Sequence, residues 1–121
     1  MRKLHLDWQG YFQADEKTVR AKVGDRAGVY KLSRLQKDGS LKPFCVGQAP
    51  SLAMRLLEHL TSLEENCVKE ELKKGECQFR FAYLYTKEDL DAAEQALYKR
   101  YGPKCNTAPA PSAEEVEVNH N

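Results

Sequence analysis

One side chain of the longest predicted helix, the carboxylate of Glu94, does not suit its position. The pattern over residues 86–103 predicts an amphipathic helix, and at about 100° per residue Glu94 falls within its apolar stripe, between Leu90 and Tyr98. An unpaired carboxylate there costs several kcal/mol or stays protonated. Three interpretations are open: a structural ion pair with Arg or Lys, a carboxylate that escapes at the edge of the stripe, or a divalent metal ion bound by its oxygens.

An earlier predicted helix, over residues 50–66, carries two side chains that could face such a carboxylate. Ser51 is its expected N-cap, and its leucines form a core stripe. Arg55 and His59 are one turn apart on a flank of that stripe, where side chains reach past the core into a groove. Both residues also have an ordinary interpretation, in which the arginine lies over apolar surface and the histidine is half-buried beside it without any functional role.

The remaining pattern predicts an α+β fold, in which a small, mostly antiparallel three-stranded sheet is flanked by helices. Two strands are joined by an Asp-Gly turn, which strongly favours a hairpin. The three expected strands cover residues 28–35, 41–46 and 78–85, and a further helix covers 67–75. An extra N-terminal strand over 3–8 and a short helix over 15–23 are weaker expectations.

Changes in composition divide the chain into three parts. Residues 1–27 are expected to pack on the domain as an extension, residues 28–106 form the domain itself, and residues 107–121 are expected to be a disordered acidic tail. Without the three glutamates of that tail, the remaining chain has 19 basic and 15 acidic side chains, a net charge of +4. This mildly basic balance is compatible with a phosphate-bearing partner.

The composition is that of an ordinary globular protein, with 41% hydrophobic and 31% charged residues. Neither an apolar run of membrane-spanning length nor a signal peptide is visible, so a cytoplasmic location is expected. The four cysteines have no CxxC spacing. We therefore expect free thiols rather than disulfides or a zinc site.

Two tripeptides, Gly28-Val29-Tyr30 and Cys45-Val46-Gly47, lie on the adjacent strands of the predicted hairpin. The helix with Arg55 follows them, and the segment AAEQALYKRYGPKCN, which contains Glu94 and ends at Asn106, comes later. This order resembles the GIY-YIG nuclease superfamily, and within it the N-terminal nuclease domains of UvrC-type repair proteins. Each motif is short, but five of them in this order and at this spacing are specific.

The resemblance implies an endonuclease that cleaves nucleic-acid phosphodiesters with one Mg²⁺ or Mn²⁺ ion. By position in the motifs, the implied catalytic residues are Tyr30, Arg55, Glu94, His59 and Cys45, with Glu94 as the metal ligand. The implied substrate-binding residues are Gly47, Gln48 and Asn106. In this scheme Arg55 stabilises the charge of the transition state and Tyr30 orients or deprotonates the attacking water. His59 assists in the cleft, and Asn106 holds the loop after the last helix.

Two residues depart from the family pattern and keep other functions open. Cys45 replaces the second tyrosine, and Gln48 replaces a lysine of UvrC-like members. A second hypothesis is therefore a catalytically degenerate domain that binds nucleic acid or a protein partner without cleavage. A thiol enzyme built on Cys45 and His59 would lack an orienting third group.

The expected partner is nucleic acid, DNA rather than RNA, with a homodimer or a protein partner left open and no membrane contact. A protein-interaction domain is the rival from another class. In that case Glu94 would pair directly with Arg55 and no open groove would separate them. A cleft that holds Tyr30, Arg55 and Glu94 around an open space would favour the nuclease instead.

Overall fold

The computed structural model describes residues 1–106, 108–109 and 114–120. Its elements, in chain order, are β1 (Arg2–Leu4), β2 (Gln9–Gln13), α1 (Glu16–Lys22), β3 (Gly28–Leu35), β4 (Leu41–Ala49), α2 (Leu52–Thr61), α3 (Cys67–Lys73), β5 (Cys77–Tyr83), α4 (Lys87–Tyr101) and β6 (Val116–Val118). Among these helices none combines the length and the apolar character needed to cross a bilayer.

The main sheet has four strands in the order β2-β5-β3-β4, and every neighbouring pair is antiparallel. The predicted α+β class and antiparallel sheet are confirmed, but the expected number of three strands is wrong. The fourth strand, β2, covers QGYFQ, a mostly exposed edge strand without the alternation that marks a buried face. The extra N-terminal strand expected over 3–8 overlaps β1 only at residues 3–4, and β1 pairs with β6 outside this sheet.

The β3–β4 hairpin brings the two tripeptides side by side. Tyr30 of β3 is in register with Gly47 of β4, and Gly28 with Ala49. On its other side Tyr30 is in register with Phe81 of β5, so its backbone lies in the middle of the sheet. Chain connectivity through a tight turn therefore fixes which residues of the two motifs are neighbours.

Alternate residues of the strands face two separate cores. One core lies between the sheet and helices α1 to α3 and includes Tyr30, Leu32, Leu56 and Phe81. The other lies between the sheet, α4 and the β1–β6 pair and includes Val29, Val46, Ala82 and Leu97. Because neighbouring strand residues point to opposite faces, α2 and α4 pack on opposite sides of the sheet. Strand β4, at the free edge, lies between them.

The C-terminal segment corrects the expectation of a disordered tail. Strand β6 pairs in parallel with β1, and the side chains of Val116 and Val118 are buried. The amide of Asn119 donates to the carbonyl of Leu6 and its oxygen accepts from the Leu6 N–H, at 2.8 and 2.6 Å. The expectation is wrong for residues 114–120, while residues 107, 110–113 and 121 lie outside the described residues. Residues 1–27 likewise belong to the domain, since they supply β2 of the main sheet.

The cysteines correct a second expectation. Cys67 and Cys105 form a disulfide, with their Cα atoms 5.4 Å apart. Cys45 and Cys77 are free, as predicted for all four cysteines, and both are buried. The pairing partners are 38 positions apart, so only the fold, which places the first residue of α3 against the loop after α4, brings them together.

Candidate functional site

A cavity of about 710 Å³ opens at the free edge of β4, between α2 and α4. It is lined by every residue that the motif resemblance selects: Tyr30, Cys45, Gly47, Gln48, Arg55, His59, Glu94 and Asn106. These residues come from β3, β4, α2, α4 and the loop after α4. The structure therefore gathers the predicted side chains around one open space, while their roles stay predictions.

One polar contact in the cavity joins Tyr30 to His59. The Tyr30 hydroxyl lies 3.0 Å from Nε2 of His59, which is on the last turns of α2. Burial raises the pKa of Tyr30 well above its ordinary value and, helped by the charge of Arg55, lowers the pKa of His59 to about 4. At neutral pH both groups are uncharged, and the phenol donates to Nε2 in the His59 tautomer that carries its proton on Nδ1.

The position of the Tyr30 hydroxyl depends on the glycine opposite it. A Cβ atom added to Gly47 would lie 2.5 Å from that hydroxyl and 2.7 Å from the ring carbon that carries it. Such distances are far below van der Waals contact. A glycine at position 47 is therefore needed for Tyr30 to lie flat across β4 and reach His59.

The guanidinium of Arg55 is at the mouth of the cavity. Its Nη1 donates to Glu58 on the next turn at 3.1 Å, and both side chains remain substantially exposed, at 45% and 62%. In the described part of the chain the ion-pair partner of Arg55 is Glu58 and not Glu94. The arrangement predicted for a protein-interaction domain, a direct Arg55–Glu94 pair without a groove, is absent from these residues.

The carboxylate of Glu94 faces the same cavity from the middle of α4. Its Oε1 accepts a hydrogen bond from Nε2 of Gln48 at 3.1 Å. Its Oε2 has no hydrogen-bond partner among the described residues. Glu94 is only partly buried, so the carboxylate meets solvent in the cavity rather than the apolar core.

The donor set suits a magnesium-type ion. No group of three or more His, Cys, Asp or Glu side chains converges on a metal position within the described residues. One carboxylate oxygen at an open cavity still fits Mg²⁺, which is commonly held by one or two carboxylates together with water molecules and the phosphates of a substrate. Glu94 is the residue that fits this description.

The hydrogen-bond partners of Gln48 differ from those expected of a residue that binds substrate phosphate. Its Nε2 donates to Oδ1 of Asp91 at 2.6 Å as well as to Glu94. Lys87 in turn donates to the same Asp91 oxygen at 2.8 Å. The sequence interpretation missed Asp91, although Asp91 and Glu94 are three positions apart on a helix and so share a face.

Cys45 and Asn106 complete the floor of the cavity. Burial raises the pKa of the Cys45 thiol to about 11, so the thiol is neutral and a poor nucleophile at neutral pH. Asn106 binds the backbone of Val46 twice: its oxygen accepts from the N–H at 2.8 Å, and its amide donates to the carbonyl at 2.6 Å. This asparagine ties the loop after α4 to β4.

No family model matches the sequence, and no curated protein matches it. The structure does match solved structures of the GIY-YIG N-terminal endonuclease domain of UvrC from Thermotoga maritima. The form bound to its catalytic cation, magnesium, gives a TM-score of 0.57 at 23% identity, over 75% of this chain and 98% of that one. A point mutant bound to the catalytic divalent cation gives 0.54 at 23% identity, over 75% and 97%. The present chain therefore has the GIY-YIG fold, as the motif resemblance implied.

Proposed function

We propose that this protein is an endonuclease that hydrolyses phosphodiester bonds of nucleic acid with one Mg²⁺ or Mn²⁺ ion. The observation that carries the proposal is that Tyr30, His59, Arg55 and Glu94 line the same open cavity. A carboxylate, a cation and a neutral proton acceptor around one space are the groups that phosphodiester hydrolysis needs. The solved relatives of the same fold, which are endonuclease domains with a catalytic divalent cation, support this reading.

Glu94 would hold the metal ion through the oxygen that has no hydrogen bond. When bound, the ion supplies stabilisation of charge on the phosphate oxygens and lowers the pKa of bound water. The contribution of the protein is to keep the carboxylate half-buried but directed at the cavity.

Tyr30 and His59 would together receive the proton of the attacking water. With the His59 proton on Nδ1, the phenol donates to Nε2 across 3.0 Å, and the Tyr30 oxygen, which also lies near the guanidinium of Arg55, keeps acceptor capacity for water. With the pKa of Tyr30 raised, a free phenolate does not form at neutral pH. Instead, the water proton moves to the Tyr30 oxygen as the phenol proton moves to His59, so that the phenol remains neutral throughout.

Arg55 would stabilise the negative charge that builds on the phosphate in the transition state. Its guanidinium has five N–H donors, and one of its nitrogens donates to Glu58. The donors that Glu58 and the nearby Tyr30 hydroxyl do not use are available for phosphate oxygens, in a planar group that stays charged at every relevant pH. The ion pair with Glu58 orients the group without burying it.

The same cavity also gives grounds for a second candidate, a domain that binds nucleic acid without cleaving it. Cys45 contributes a neutral thiol where the family has a tyrosine, and both amide hydrogens of Gln48 are directed at carboxylates. Two polar contacts to a substrate are thereby lost. Such a domain would bind nucleic acid in a salt-sensitive, metal-independent manner and show no turnover.

The test is incubation of the purified protein with labelled single- and double-stranded DNA and RNA in Mg²⁺, in Mn²⁺ and in EDTA. The nuclease predicts cleavage of at least one substrate with either metal and none in EDTA. Binding measured in parallel over a range of salt concentrations separates the candidates. Salt-sensitive binding without cleavage in any metal would replace the nuclease with the binding domain.

A further inference from the structure

The amide of Gln48 is shared between two carboxylates of α4. One nitrogen, Nε2, lies 2.6 Å from Oδ1 of Asp91 and 3.1 Å from Oε1 of Glu94. A side-chain amide nitrogen has two hydrogens, so each carboxylate accepts one. Gln48 is therefore fully used as a donor and acts as a bridge between the two acidic side chains.

The far end of this bridge is itself held in place. Asp91 accepts from the ammonium of Lys87, one turn earlier on α4, at 2.8 Å. The same Asp91 oxygen therefore receives two donors, one from the helix and one from the edge strand. Asp91 is one-third exposed, whereas the cavity lining includes Glu94 and Gln48 but does not include Asp91.

We propose that Asp91 is a positioning residue of the nuclease site, which fixes Gln48 so that Gln48 orients the metal-binding carboxylate of Glu94. This inference rests on the proposed function. It gives Gln48 a role towards Glu94 in place of the role towards substrate phosphate that its sequence position implied.

The mobility of a glutamate side chain explains why such a bridge is needed. A glutamate has three rotatable side-chain bonds, and a carboxylate at an open cavity is free to sample several rotamers. Gln48 restricts Glu94 by occupying one oxygen, Oε1, and leaves Oε2 for the ion. Without Asp91, the amide of Gln48 would lose its shorter hydrogen bond and its own orientation. Partners of this kind typically change metal affinity or activity by about 10- to 100-fold when they are removed.

The test measures Mn²⁺ binding to the full-length protein by titration calorimetry. The variants are Gln48→Leu, Asp91→Ala, the double variant, Asp91→Asn and Glu94→Gln. We expect Gln48→Leu and Asp91→Ala each to weaken Mn²⁺ binding about 10-fold. The double variant should bind Mn²⁺ no more weakly than either single variant, since both single substitutions break the same bridge. Asp91→Asn keeps an oxygen that can accept from Gln48, so its affinity should stay within about threefold of the wild type.

A second readout separates positioning from a general structural effect. If Asp91 acts through Glu94, the Mg²⁺ concentration needed for half-maximal cleavage rises in Asp91→Ala, while kcat at saturating metal returns close to the wild-type value. Thermal unfolding of each variant checks that the fold is retained.

Three results would overturn the inference. Unchanged Mn²⁺ affinity in Gln48→Leu and Asp91→Ala would show that the bridge does not orient Glu94. Losses that multiply in the double variant, or an Asp91→Asn loss equal to that of Asp91→Ala, would show that Asp91 acts by its own charge. Mn²⁺ binding that is undetectable in the wild type, or unaffected by Glu94→Gln, would remove the proposed metal site as well.

Discussion

The phenol oxygen of Tyr30 lies 3.0 Å from Nε2 of His59 and so connects the middle of β3 with α2 at the cavity. Both groups are mostly buried and both are uncharged at neutral pH, because burial disfavours their ionised forms. The contact therefore couples a hydroxyl to a neutral proton acceptor beside the carboxylate of Glu94 and the guanidinium of Arg55. The proposed chemistry depends on this pair.

Burial of neutral His59 makes the stability of the protein depend on acidity. The folded-state pKa is about 4, below the ordinary value of 6.5. Between these values the unfolded chain binds the proton and the folded chain does not. The free energy of unfolding should therefore fall as the pH is lowered from about 6.5 to 4, by up to about 3 kcal/mol from this group. Urea unfolding of the wild type and of His59→Gln across this pH range tests the expectation. If the free energy of unfolding changed equally with pH in both proteins, His59 would not be the source of the change.

Gly47→Ala should displace Tyr30, because the added Cβ would lie 2.5 Å from the hydroxyl. Overpacking of this kind costs about 1–3 kcal/mol. Loss of the Tyr30–His59 contact should also lower the cleavage rate by about 100-fold or more, the usual contribution of a positioned proton acceptor. The matched control is Gly75→Ala, since a Cβ at position 75 meets nothing within 4 Å. Equal stability and activity of the two variants would refute the steric argument.

Lys31, on the other face of the sheet, gives a pH dependence of the same sign in a more alkaline range. It is 1% exposed, lies over the rings of Trp8 and Tyr101, and is in register with Arg80 of β5. Burial, with the charge of Arg80, lowers its pKa from 10.5 to about 8.

Above pH 8 the folded protein loses the Lys31 proton while the unfolded chain keeps it until about pH 10.5. The free energy of unfolding should therefore rise with pH over this range, by up to about 3 kcal/mol from this group. Lys31→Met should remove this rise in urea unfolding experiments between pH 7.5 and 10. If the free energy of unfolding rose with pH equally in the variant, Lys31 would not be the source of the rise.

Reduction of the Cys67–Cys105 disulfide should destabilise the protein. The bond closes a loop of 38 positions, for which the loss of chain entropy in the unfolded state gives about 4 kcal/mol. We expect a lower melting temperature in a dithiol reductant, and the same lower value for Cys67→Ser/Cys105→Ser with or without reductant. An unchanged wild-type melting temperature, once thiol titration shows four free cysteines, would contradict this expectation.

Local signals were sufficient to predict the elements around the site. The side chain of Ser51 accepts from the N–H of Met54, so this cap begins α2 as predicted, and Thr86 caps α4 in the same way by accepting from the N–H of Asp89. The hairpin was also readable, because its turn residues and its two motifs lie within a short stretch of chain.

Contacts between distant parts of the chain account for what the sequence did not reveal. Strand β6 has three residues and pairs with β1 at the other end of the sequence, so no local pattern marks it. The disulfide and the role of Gln48 depend in the same way on where α3 and α4 pack. The candidate site residues were predicted from the order of the motifs, and the fold brings them around one cavity.

The most direct test of the central claim compares Glu94→Gln with Glu88→Gln in the cleavage assay. Both changes remove one carboxylate from α4, but Glu88 is exposed in the first turn and does not line the cavity. We expect metal-dependent cleavage by the wild type and by Glu88→Gln, and loss of cleavage in a folded Glu94→Gln. Cleavage by Glu94→Gln at the wild-type rate, or equal loss in both variants, would contradict the proposal that Glu94 holds the catalytic ion.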